Sequence, residues 1–248
     1  MYGKDPKQNV RIPVVVKEKQ QFLEHIKPFL RALLLQSNHA LPSIWSLISS
    51  NFEEYRICQL LLEHPHTLTL GRRAKDDGII VPEEVLREHG VTVFETNRGG
   101  KVTYHGLGQV VGYPIINLSP DREDVHRFVR DLEEVLIRAV SDFGIEAFRI
   151  KGLTGVHTSR GKVAAIGVHI ARWVTTHGFA LNVNTDLTYF DWIIACEGEP
   201  VTSMKELLGR EVEIGVVEDR IIDRFAEVFE MEFSHGGTEA QRIEGVMA

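Results

Sequence analysis

The chain has 248 residues, with 28 basic and 35 acidic side chains for a formal net charge of −7, and it is 43% hydrophobic and 25% charged. These proportions match an ordinary globular protein and exclude disordered and fibrous chains. The acidic balance argues against a nucleic-acid partner, whose phosphates call for a basic face, and no apolar run reaches the ~18 residues that a membrane-spanning helix needs.

The first apolar cluster, Val14–Val16, is ended at once by Lys17, Glu18 and Lys19, so no secretory signal is expected. Residues 22–34 follow helical spacing, with Pro28 inside the stripe. Residues 36–56 show no clear period. Ile57–Leu62 and Leu68–Leu70 read as short strands around a turn at His64-Pro65-His66. Pro82–His89 reads as a short helix stopped by Gly90, Val91–Thr96 as a strand and Gln109–Leu118 as an apolar strand. Ser119-Pro120-Asp121 opens the strongest helix, whose stripe from Val125 to Phe143 is closed by Gly144. Lys162–Ile170 and Trp173–Val183 have the spacing of a tight hairpin across Ala171-Arg172. A last amphipathic helix is expected at 217–233 and a disordered tail at 234–248. Strands and helices mix without regular alternation, so the expected class is α+β.

Chemistry concentrates in few places. Asn97–Gly112 holds five glycines among Arg98, Lys101, Thr103, Tyr104 and His105. Such backbone can approach a ligand closely or make a bulged turn. It fits neither the dinucleotide fingerprint nor the phosphate loop, since Val111 and Val102 stand at the deciding places. The histidines form no metal-binding spacing, and no metal or cofactor is expected. With two cysteines, Cys58 and Cys196, no disulfide framework is possible, and a reduced, cytoplasmic setting follows. Cys58 sits in an apolar strand and reads as core filler. Cys196 reads either as filler or as a thiolate activated by a cation such as Lys162.

Five segments taken together resemble the lipoyl (octanoyl) transferases: EHPHTLTLGRRAK at 63–75, RGGKVTYHGLGQVVGYPI at 98–115, LTGVHTSRGKVAAIGVH at 153–169, RWVTTHGFALNVNTDLTYF at 172–190 and CEGEPVTSM at 196–204. The likeness runs from Ile57 to Phe233, in the family's order. It implies a mixed β-sheet core with flanking helices, the fold of biotin protein ligases and lipoate ligases. It also implies a catalytic domain at 57–233, with 1–56 a poorly assigned N-terminal segment of the same domain. By the same resemblance Cys196 matches an acyl-thioester nucleophile and Lys162 the lysine that lowers its pKa. The substrate-binding residues are then Arg98, Gly99, Gly100, Lys101, Val102, Thr103, Tyr104 and His105, with Ala165, Ile166 and Gly167 and with Gly178, Phe179 and Ala180. Departures from the family pattern are Leu107 and Ala195 in place of prolines, Glu197 in place of a glycine, and His157 in place of a tryptophan.

The implied activity is transfer of octanoyl from octanoyl-acyl carrier protein, through Cys196, to a lysine of lipoyl domains or of the glycine cleavage H protein. Neither nucleic acid nor membrane enters this reading. A thioester donor is already activated, so no ATP is needed. An amidotransferase moving octanoyl between lipoyl-accepting proteins and a non-catalytic acyl-binding relative remain as alternatives. Arg72, Arg73 and Lys75 are candidates for docking an acidic carrier.

Overall fold

The structure, a computed structural model, describes residues 11–12, 14–15, 57–75, 77–194, 199–230 and 241–242. Cys196 and the helix expected at 22–34 lie outside the described residues. Of the expected disordered tail, only 241–242 is described. Numbered among these residues, the strands are β1 (Arg11–Ile12), β2 (Val14–Val15), β3 (Ile57–Leu62), β4 (Thr67–Leu70), β5 (Thr92–Glu95), β6 (Val102–His105), β7 (Gln109–Ile116), β8 (Val156–Thr158), β9 (Gly161–Ala171), β10 (Val174–Asn182) and β11 (Gln241–Arg242). The helices are α1 (Glu83–Glu88), α2 (Val125–Ser141), α3 (Met204–Leu208) and α4 (Ile214–Phe229), with a 3-10 helix at Leu187–Trp192.

Two sheets form. The larger has the order β11-β1-β3-β7-β10-β9-β8 with β2 also on β3, and the smaller is β5-β4-β6. The larger sheet's pairings are antiparallel, while β4 pairs parallel with β5 and antiparallel with β6. The α+β expectation therefore holds. The strands β3 and β4, read from sequence as two arms of one turn, belong to different sheets, so His64-Pro65-His66 is a crossover between layers.

Local sequence explains the regular parts. In α2 the buried Phe128, Leu132, Val135, Leu136, Ala139 and Val140 fall on one face, the 3.6-residue stripe of an amphipathic helix. That helix begins at Val125, later than the expected Ser119-Pro120-Asp121, because Asp124 caps it by accepting from the Arg127 backbone N–H. The last helix runs from Ile214 to Phe229 and ends on Glu230 in the left-handed region, four residues earlier than the sequence spacing suggests. Helices α2 and α4 cover one face of the larger sheet, burying Val110, Ala164, Phe179 and Leu181. A second core of Leu68, Leu86, Val91, Val102, Tyr104 and Ile193 lies on the smaller sheet.

The β9–β10 hairpin turns on Arg172 (φ 49°) and Trp173 (φ 63°), two consecutive positive φ values that match the right-handed twist of the strands. The turn is thus one residue later than Ala171-Arg172. At the other end of β9 the register with β8 slips: Val156 opposes Ala164 but His157 opposes Lys162. Val163 is the extra residue, a β-bulge. Without it Lys162 would share the helix-facing side of β9 with Ala164 and Ile166, since successive side chains alternate. With it Lys162 turns to the side of Ala165 and Gly167.

Candidate active site

The sheet face opposite the helices and the inner side of the smaller sheet enclose a cavity of ≈ 70 Å³. On that face the larger sheet contributes Val111 and Tyr113 from β7, Ala165 and Gly167 from β9, and Gly178 and Ala180 from β10, while the helix-side Ile166 and Phe179 also border the space. From the other layer come Thr67 and Thr69 of β4, the loop Arg98–Lys101, and Val102, Thr103 and His105 of β6. Thirteen of the fourteen substrate-binding residues read from the sequence line this one space. Tyr104 does not. Alternation along β6 sends it into the second core with Val102, where it is 0% exposed and stacks on Tyr189 with ring centroids 4.7 Å apart.

Glycines bring the walls together. The Gly99 N–H donates to the Val168 carbonyl at 3.0 Å, seating the loop on β9. A Cβ at Gly167 would lie 2.8 Å from the Gly99 oxygen, so a side chain there would push the loop off. Arg98 is buried and acts as a brace. Its guanidinium donates to the carbonyls of Thr69 (2.6 Å), Lys101 (2.8 Å) and Gly99 (2.9 Å) and to Thr69 Oγ1 (2.9 Å). That fork of donors folds the 98–101 loop on itself.

Polar groups around the cavity are mostly satisfied and uncharged. His105 Nδ1 and Gln109 Oε1 are 2.8 Å apart. Gln109 Nε2 donates to the Tyr104 carbonyl and to Asn182 Oδ1, which makes Oε1 the acceptor and puts the imidazole proton on His105 Nδ1. Asn182 Nδ2 in turn donates to the Thr202 carbonyl at 3.1 Å. Burial, then the charge of His64 and of Arg98, hold His105 down to about 3 against the Gln109 hydrogen bond. Burial alone lowers His64 to about 4, and its Nε2 lies 2.6 Å from Tyr113 Oη. His177, at φ 59°, donates from Nε2 to Asn97 Oδ1 and is lowered to about 3 by burial and by Arg98. All three imidazoles are neutral near pH 7, so the cavity presents no histidine charge to an apolar guest.

Lys162 stands at one end. It lines a smaller space of ≈ 40 Å³ with Gln109, Asn182, Phe190, Glu199 and Val201. Val102, Thr103, Ala165 and Ala180 wall both this space and the larger cavity. The Lys162 side chain is 10% exposed, and its Nζ lies 2.7 Å from Glu199 Oε2. The same oxygen is 3.4 Å from His157 Nε2. Burial raises the Glu199 carboxyl, but the hydrogen bond and charge of Lys162, followed by those of His157, outweigh it and leave Glu199 below the usual range. The lysine backbone is fixed from the same side: its N–H donates to the Pro200 carbonyl (2.8 Å), and its carbonyl accepts from Thr202 N–H (3.0 Å).

Support also comes from α2. Glu133, 1% exposed, accepts the Gly155 N–H at 3.0 Å while Arg130 and Arg149 neutralise its other oxygen. A Cβ at Gly155 would sit 3.3 Å from Lys162 Cε and 2.6 Å from the Ala164 oxygen, so the bare backbone there makes room for the lysine stem.

Sequence reasoning missed His64, Thr69, Tyr113 and His177 in the cavity wall and Glu199 on the lysine. His64 and His177 stand in the resembling segments, and Glu199 follows Cys196 by three positions. Those positions were the only available signal. Arg72, Arg73 and Lys75 are exposed, and the backbone of Gly71, Arg72 and Arg73 is bonded to the 98–101 loop, so these cations flank the cavity. Among the described residues no cluster of His, Cys, Asp and Glu has the form of a metal site, and no helix is long and apolar enough to cross a membrane.

Residues 47–226 match the family model of the lipoyl protein ligase A/B catalytic domain. The chain is 50% identical over 180 residues to an octanoyltransferase of Solibacter usitatus, covering 72% of this chain and 81% of that protein. It is 48% identical over 178 residues to an octanoyltransferase of Caldicellulosiruptor saccharolyticus, covering 70% and 76%. A solved bi-partite lipoate protein ligase with its E2 lipoyl domain from Thermoplasma acidophilum superposes with a TM-score of 0.58 at 18% identity, over 69% of this chain and 70% of that one. That likeness shows the fold, as the sequence resemblance implied.

Proposed function

The chain belongs to the lipoyl protein ligase A/B catalytic domain family, and from that premise we propose that it transfers octanoyl groups in protein lipoylation by way of a Cys196 thioester. The octanoyltransferase relatives, at about half identity over most of both chains, support an acyltransferase. The observation that carries the mechanism is the shared wall of Val102, Thr103, Ala165 and Ala180 between a cavity whose histidines are neutral and the space that holds Lys162.

In the first step the Cys196 thiolate attacks the thioester carbonyl of octanoyl-acyl carrier protein; a new thioester forms and the carrier thiol leaves. In the second, the amine of an acceptor lysine, on a lipoyl domain or the H protein, attacks that thioester. The amide forms, the cysteine sulfur departs with the electron pair as the thiolate, and the proton lost by the amine balances the one taken up by the departing carrier thiol. Lys162, as an ammonium, stabilises the thiolate in both steps. Chain geometry supports this pairing, because Cys196 is three residues from Glu199 and three residues span at most about 11 Å. The apolar cavity favours the chain by about 0.8 kcal/mol per methylene buried. Exposed Arg72, Arg73 and Lys75 suit an acidic carrier, and a cytoplasmic setting keeps the thiol reduced.

The test is to incubate the chain with octanoyl-acyl carrier protein without ATP and weigh it intact. A gain of one octanoyl that Cys196→Ala abolishes is the expected result. An unmodified wild-type chain under conditions where acceptor octanoylation proceeds would refute the thioester.

A further inference from the structure

We propose that Glu199 is a positioning residue that fixes the Lys162 ammonium in place through an enclosed ion pair, with His157 held against the same carboxylate oxygen. This rests on the reading of Lys162 as the lysine of the transfer reaction. Three observations converge. The ammonium and carboxylate meet at 2.7 Å with side chains only 10% and 16% exposed, and a pair so enclosed interacts strongly while either partner left alone would be costly. The placement is built by the backbone: Lys162 bonds to Pro200 and Thr202, so the residue before Pro200 is delivered to the lysine by strand-like pairing. Finally, His157 lies directly opposite Lys162 in the β8–β9 register and, 3% exposed, points Nε2 at the oxygen that the lysine uses.

Other charged groups on the packed elements have their own partners. Glu206 of α3 accepts from Thr202 Oγ1 at 3.2 Å, and Arg160 of the β8–β9 turn donates to the Glu206 carbonyl at 2.6 Å. Gln109 and Asn182, facing Lys162 from β7 and β10, are neutral and bonded to each other. Glu199 is therefore the ion partner that orients the lysine.

The experiment is labelling of Lys162 with trace acetic anhydride at one fixed pH, read by peptide mass spectrometry on the full chain, with octanoyl transfer measured alongside. Glu199→Gln, which frees the lysine side chain from its enclosed ion pair, should raise the extent of Lys162 labelling severalfold and lower kcat of transfer more than it changes KM. Glu199→Asp should return part of both effects. If Glu199→Gln does not fold, as judged by thermal melting, Glu199→Ala takes its place with the same expectation. Labelling that stays unchanged in the neutral variant, while Lys162→Ala abolishes transfer, overturns the role of Glu199 alone. Transfer that survives Lys162→Ala overturns the reading of the lysine itself, and with it the catalytic purpose of Glu199.

Discussion

Replacing Val111 by Ala should lengthen the acyl chain that the protein prefers. Val111 is 3% exposed, lines the larger cavity and does not line the Lys162 space. In register it pairs with Ala180 of β10, which pairs with Ala165 of β9, so it lies two strands from the lysine's strand, about 10 Å across the sheet. The substitution removes two carbons from the wall. Filled by two further methylenes of substrate at about 0.8 kcal/mol each, that space is worth about 1.6 kcal/mol, a change of about 15-fold. The assay is kcat/KM for octanoyl and decanoyl thioester donors with the native and variant chains. The decanoyl-to-octanoyl ratio should rise by roughly that factor, with a loss of about 2 kcal/mol in stability from the vacated space. An unchanged ratio would refute the placement of the acyl tail against β7.

Two further expectations concern the scaffold. Glu133→Ala leaves the Gly155 N–H and the Arg149 guanidinium without their buried acceptor. It should cost about 3–5 kcal/mol, a melting temperature lower by roughly 6–20 °C, with Glu133→Gln in between; a shift under about 2 °C in a calorimetric scan would contradict that account. The buried imidazoles make stability acid-sensitive. His64 and His105 remain neutral in the fold down to about 4 and 3, whereas an unfolded histidine takes a proton near 6.5. Their contribution is complete above pH 6.5 and is lost as pH falls below it, at about 1.4 kcal/mol per unit for each group. Urea melts between pH 6.5 and 5 should show this slope, and His64→Phe should flatten it by about one proton; an equal slope in the variant would count against it.

The long periodic elements were legible in the sequence because their signals are local. The stripe of α2 and the apolar runs of β3, β7 and β10 each needed only neighbouring residues to declare themselves. The short strands β6 and β8 were not legible. Val102–His105 lies in a glycine-rich stretch, and Val156–Thr158 holds three residues, so both owe their form to partners distant in the chain. The crossover from β3 to β4 was missed for the same reason. At the site, the resemblance supplied contiguous residues, and contiguity included Tyr104, whose side chain lies in the second core, because a strand sends alternate side chains to opposite sides. Glu199 escaped notice because an ion pair spanning 162 to 199 leaves no pattern in either neighbourhood.

The one-residue bulge at Val163 bears on how this strand can be inherited or redesigned. An alignment that counts positions treats Val163 as an ordinary residue, but it is a change of phase. Strike it out and the strand becomes more regular, the pairing with β8 gains symmetry, and the ammonium is turned toward the hydrocarbon of α2 and α4. Any transplant of this lysine to another sheet must carry its irregularity along, since the side of the sheet that the ammonium faces is decided there and not by the lysine.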